Sequence, residues 1–120
     1  MTTGDLTSTL MLEISKRYPG SVIQRINVMA GNVGARFVRS ALPGTSDLVG
    51  MLAPSGKFLA IELKQKGDSL SVQQFAFLQA VKRGGGIALV CGRTGLRSLP
   101  EGITCVAGVD EAMEWIEEQL

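Results

Sequence analysis

The sequence predicts an α/β domain in which a central mixed β-sheet is flanked by α-helices. Short runs rich in Val, Ile and Leu recur along the 120 residues, and 45% of the chain is apolar while only 5% is aromatic. Stretches with helical spacing alternate with those runs, in the order helix, several strands, helix, strand, helix. A chain of this length holds one core and is too short for two comfortable ones, so residues 1–120 read as a single domain.

The first helix spans Asp5 to Arg17, with Leu6, Leu10 and Ile14 on one stripe, and Pro19-Gly20 stops it. Ser21 to Met29 alternates imperfectly and predicts a strand with one polar face; Gly31 to Gly34 reads as a loop and Ala35 to Arg39 as a short strand. After the turn chemistry of Leu42-Pro43-Gly44-Thr45-Ser46, two apolar-rich strands, Asp47 to Ala53 and Lys57 to Lys64, flank Ala53-Pro54-Ser55-Gly56. Proline second and glycine fourth suit a type I turn, so the two strands are expected to form a hairpin.

A second helix opens at Ser71, which with Gln74 fits a capping box, and it buries Phe75, Leu78 and Val81. Gly84-Gly85-Gly86 stops that helix, and the unbroken apolar run Ile87 to Cys91 suits an interior strand. Thr94 to Pro100 is ambiguous, and Ile103 to Val106 predicts a short strand. Val109 to Leu120 is a third amphipathic helix, whose Met113, Trp115 and Ile116 serve either a contact surface or the core.

The net charge of +1 hides an asymmetry: the last eleven residues hold five acids and no base, while residues 1–109 carry net +6. A basic body suits a polyanionic partner. The chain has no histidine, which excludes His-based acid–base work, Ser-His-Asp triads and His-ligated zinc. Carboxylate chemistry with a divalent metal remains. Cys91 and Cys105 each sit in an apolar stretch and read as buried free thiols. No run approaches the ~20 apolar residues of a membrane span and no basic-then-apolar leader is present, so the expected location is cytoplasmic, with no membrane partner.

The candidate site lies on the predicted hairpin. Pairing Ala53 with Gly56 across the turn sets Asp47 opposite Glu62 by counting, so two carboxylates share a face. Lys64, two residues on, points to that face, and Leu63 points to the other. Hard divalent cations take oxygen ligands: the two carboxylates and the Leu63 backbone carbonyl supply them, with water completing a magnesium shell. Lys64 then stands near a metal-bound water attacking phosphorus. Taken alone, the same residues also read as a solvated strand face with an Asp capping a turn.

Larger blocks add to this reading. Arg25-Ile26-Asn27 and Gly31, Leu42-Pro43-Gly44-Thr45-Ser46-Asp47-Leu48-Val49-Gly50, Gly56-Lys57-Phe58-Leu59-Ala60-Ile61-Glu62-Leu63-Lys64, Leu70-Ser71-Val72-Gln73-Gln74 and Gly84-Gly85-Gly86-Ile87-Ala88 occur in that order. In these blocks the chain resembles the VRR-NUC branch of the PD-(D/E)XK nuclease superfamily, especially its small stand-alone phage and bacterial members. The resemblance implies a restriction-endonuclease-like core, metal binding by Asp47 and Glu62, assistance from Lys64, and support from Gln74, for which capping of Ser71 is the competing explanation. It further implies Mg2+ or Mn2+ as cofactor and DNA as partner, with branched DNA such as a four-way junction cut by a homodimer. The alternatives are a less selective nicking or trimming nuclease and a catalytically silent DNA-binding module.

Two positions depart from the family pattern. Ser46 stands where the superfamily has the proline of its name, and the acid expected on the first helix is matched best by Asp5, with Glu13 second. Arg25, Asn27, Arg36, Arg39, Lys66, Lys82 and Arg83 are candidate DNA contacts by charge and polarity, each also readable as an ordinary surface residue.

Overall fold

The computed structural model describes residues 2–26, 30–33, 36–39, 44–65, 68–92 and 102–120, with backbone alone at residues 3, 30–33 and 36–39. The order is α1 (Thr3–Arg17), β1 (Val22–Arg25), β2 (Ala30–Val33), β3 (Arg36–Arg39), β4 (Leu48–Met51), β5 (Phe58–Lys64), α2 (Val72–Arg83), β6 (Ile87–Gly92), β7 (Thr104–Val106) and α3 (Val109–Gln119). Five strands form one mixed sheet in the order β1-β4-β5-β6-β7, and β2 pairs with β3 in a separate ribbon. The expected α/β architecture is therefore the one observed.

The sheet has two covered faces. On one, Leu59, Ile61 and Leu63 of β5 and Leu89 and Cys91 of β6 meet Leu10 and Ile14 of α1 and Ala112, Met113 and Ile116 of α3. On the other, Ala60, Ala88 and Val90 meet Leu78 of α2, with Phe75 and Val81 alongside. Burying Leu59, Ile61 and Leu63 contributes roughly 1.5–3 kcal/mol each. A one-residue slip of β5 would turn all three to the α2 face and drive Glu62 into the α1–α3 core, so their packing fixes which face Glu62 and Lys64 occupy.

β4 and β5 are antiparallel with Leu48 opposite Ile61 and Met51 opposite Phe58, the register counted from the sequence. β5 and β6 run parallel, with α2 as the crossover between them. At the end of α2, the Gly86 and Gly85 amides donate to the Val81 and Lys82 carbonyls at 2.9 and 3.1 Å. Gly85, at φ 90°, supplies the left-handed residue this closing motif requires.

Several expectations are corrected. α1 begins at Thr3, because Thr2 caps it and Asp5 is the third helical residue, not the first. Ala30–Val33 is a strand where Gly31 to Gly34 reads as a loop: pairing with β3 outweighs weak local propensity. The expected strand Ser21 to Met29 is shorter, Val22–Arg25, with Val28 and Met29 outside the described residues. The hairpin turn is wider than type I, since the Gly56 amide donates to Leu52 at 2.7 Å and not to Ala53. Met113 and Ile116 lie in the core and Trp115 packs against it, because α3 turns its apolar stripe onto the sheet. Thr94 to Pro100 lies outside the described residues. Both cysteines are free, Cys91 buried and Cys105 partly so.

Candidate active site

Strand alternation builds the site. Leu48 enters the α1 side of the core and Val49 the α2 side, so Asp47, two residues before Val49, falls on the α2 side. Glu62 and Lys64 share that side with Ala60, and extending the β4–β5 register by one residue sets Asp47 opposite Glu62. Asp47 is pinned at both ends: its carbonyl accepts from the Ile26 amide at 2.8 Å, and its Oδ2 accepts from the Leu63 amide at 2.8 Å.

Gln74 ties the remaining groups together from the first turn of α2. Its Oε1 accepts from the Ser71 amide and from Lys64 Nζ, each at 2.9 Å, while its Nε2 donates to Glu62 Oε1 at 3.2 Å. The Gln74 amide also donates to Ser71 Oγ at 3.1 Å. The cap and the side-chain bridge, which the sequence offers as competing explanations, coexist in one conformation because an amide carries both acceptor and donor groups.

Glu62 is the electrostatic focus. It is 3% exposed, and its Oε2 is buried without a hydrogen-bond partner among the described residues. Burial first, and then the Asp47 carboxylate, push its carboxyl up to about 8, against a smaller opposing pull from Lys64. A buried carboxylate oxygen with no donor, beside a second carboxylate, is an arrangement that a hard cation satisfies. The Leu63 carbonyl points to the same strand edge as its amide, which meets Asp47, so the donor set fits Mg2+ or Mn2+ with water filling the shell.

The other sequence candidates are placed as follows. Asp5 caps α1, accepting from the Thr2 amide at 3.1 Å and its hydroxyl at 2.8 Å, and these bonds lower its carboxyl below the ordinary value. Glu13 lies 3.9 Å from Lys16. Helix α1 covers the sheet face away from Asp47 and Glu62, and no third acid joins those two in a metal-holding cluster among the described residues. Arg25 ends β1, exposed and opposite Leu48. Arg36 and Arg39 are the first and last residues of β3, while Asn27 and Lys66 lie outside the described residues.

Two further residues lie in the segment leading to Asp47. Gly44 has φ 83°, and a Cβ there would run into the Gln73 backbone, so only glycine lets this segment lie against the first turn of α2 beside Gln74. The cue in the sequence is the Pro-Gly pair, which reads there only as a turn. Ser46 is fully buried, and its hydroxyl has no hydrogen-bond partner among the described residues.

The assembly holds two acids, one cation and an amide on one sheet face, at the N-terminal end of α2. A family model described as the VRR-NUC domain matches residues 1–94, a span that includes Asp47, Glu62, Lys64 and Gln74. A search of curated proteins finds no match.

Proposed function

The chain belongs to the VRR-NUC domain family, a nuclease family with a PD-(D/E)XK-like fold, and from that premise we propose that it is a Mg2+- or Mn2+-dependent endodeoxyribonuclease. One observation carries the reading: Asp47, Glu62 and Lys64 converge while Glu62 Oε2 keeps no hydrogen-bond partner among the described residues. Asp47, Glu62 Oε2 and the Leu63 carbonyl would hold the ion. A bound divalent cation supplies Lewis-acid polarisation of the phosphate and an acidified water. Gln74 occupies Glu62 Oε1 and so leaves the other oxygen free; its own Oε1 holds the Lys64 ammonium in place. From there Lys64 orients the attacking water or neutralises charge developing on the phosphate. An α1 acid, Asp5 or else Glu13, would join as a third ligand only if it reached round from the opposite sheet face, and Asp5 would also have to release Thr2.

We assign branched DNA as the substrate and a homodimer as the working form, since paired cuts across a junction need two sites related by a two-fold axis. Arg25, Arg36 and Arg39 are candidate phosphate contacts. No helix among the described residues is long and apolar enough to cross a membrane.

The test compares cleavage of a labelled four-way junction, a flap and plain duplex with magnesium or manganese, in wild type, Asp47→Ala and Lys64→Ala. Wild type is expected to favour the junction, and each variant to lose at least ~100-fold in rate while still binding DNA. Equal rates on all three substrates would replace the junction reading with the nicking or trimming nuclease. DNA binding without cleavage in wild type would leave the silent module, and unchanged cleavage in both variants would refute the site.

A further inference from the structure

Helix α2 carries the active-site amide on its first turn and has a second polar stripe on another side. Phe75, Gln79, Lys82 and Arg83, at helical spacing, line a cleft of about 340 Å³ closed on its far side by Gly102 and Ile103. That volume lies at the lower end of the ~300–1,000 Å³ typical of ligand sites.

Among the described residues, the charged groups on the walls are all cations. Lys82 donates to the Gly102 carbonyl at 2.6 Å, which anchors its ammonium at the cleft and leaves two N–H groups to offer. Arg83 is exposed, and among the described residues neither cation pairs with a carboxylate. Gln79 adds an amide and Phe75 an apolar floor, with no Asp or Glu among the described lining residues. Two cations, an amide and an aromatic edge suit an anion joined to a flat or apolar body.

We propose that this cleft is a second DNA subsite, taking a sugar-phosphate unit of the strand away from the cleaved bond; DNA as its ligand rests on the nuclease reading above. The helix sets the spacing. From Gln74 to Gln79 is about 7.5 Å of axis and to Arg83 about 13.5 Å. With α2 lying along the duplex axis, on which one strand rises ~3.4 Å per nucleotide, that is about two to four nucleotides from the reacting phosphate. The phosphate meets Arg83 and Lys82, and the sugar rests on Phe75.

The experiment is fluorescence anisotropy of a labelled DNA duplex in EDTA, across a salt series, with wild type, Arg83→Ala, Arg83→Glu and Gln79→Ala, each checked for an unchanged melting temperature. Arg83→Glu is expected to weaken binding about tenfold, Arg83→Ala to weaken it less and reduce the salt slope by about one, and Gln79→Ala to weaken it without changing that slope. Wild-type affinity and slope in both Arg83 variants would overturn the proposal. Saturation of the cleft by micromolar mononucleotide, read from Gln79 side-chain NMR shifts, would overturn it in favour of a small-nucleotide site. Because binding is read without catalysis, the two readings fail separately: a protein that binds through Arg83 and never cuts keeps the subsite and loses the nuclease assignment.

Discussion

Glu62 keeps its proton at a pH where an ordinary glutamate has lost it, because burial and the facing Asp47 carboxylate both disfavour its charge. The consequence for stability has a definite sign. The folded-state value, about 8, lies above the ordinary 4.5, so the contribution of this carboxyl is complete below about pH 4.5 and is lost as the pH rises through about 8. In EDTA, wild type is therefore expected to lose stability relative to Glu62→Gln between about pH 5 and pH 8, by a few kcal/mol at ~1.4 kcal/mol per pH unit. Magnesium added at the upper end is expected to restore the loss in wild type and to do little for Glu62→Gln, because the variant has no buried charge at residue 62 to neutralise and keeps Asp47 as the one carboxylate ligand of the pair. Thermal melts across that range check both statements; parallel profiles for the two proteins would contradict them.

At the scale of elements, the first turn of α2 joins folding to chemistry. Ser71 and Gln74 close a reciprocal cap, but only Gln74 also touches Lys64 and Glu62. Ser71→Ala is expected to cost about 1 kcal/mol of stability and leave cleavage nearly unchanged. Gln74→Ala is expected to cost a similar amount and lower cleavage about 10- to 100-fold, the range seen when a supporting contact to a metal site is lost. Equal cleavage in the two variants, at temperatures where both are folded, would reduce Gln74 to a cap. The hairpin that carries the acids was legible because strand side chains alternate with a period of two: counting from the turn gives the facing pair, and Leu59, Ile61 and Leu63 mark the buried side. Strand β2 was not legible, since Ala30-Gly31-Asn32-Val33 has little intrinsic preference for a strand and gains its bonds only from β3. Gln74's double contact was half legible. The cap follows from local spacing, whereas the bridge to Lys64 and Glu62 depends on how α2 docks on β5.

Over the whole molecule, the two sheet faces divide the work. The α1–α3 face holds most of the large apolar residues, and there Tyr18 Oη donates to Glu117 at 2.7 Å, joining the two helices. The α2 face carries the acids at one end of the strands. At the other end, Val22, Met51 and Phe58 form one row across three neighbouring strands, exposed by 64%, 38% and 44%. Such a strip suits a second copy of the chain, whose matching row would cover it about a two-fold axis. Sedimentation is expected to show a dimer for wild type and a monomer for Met51→Glu; a dimer that survives this substitution would move the interface elsewhere. Catalysis as proposed depends on one ion shared by Asp47 and Glu62, and anomalous diffraction from a manganese-soaked crystal tests that directly. The expected result is a peak within about 2.2 Å of an Asp47 carboxylate oxygen and of Glu62 Oε2. An empty position there at saturating manganese, or an ion bound without both carboxylates, would contradict it.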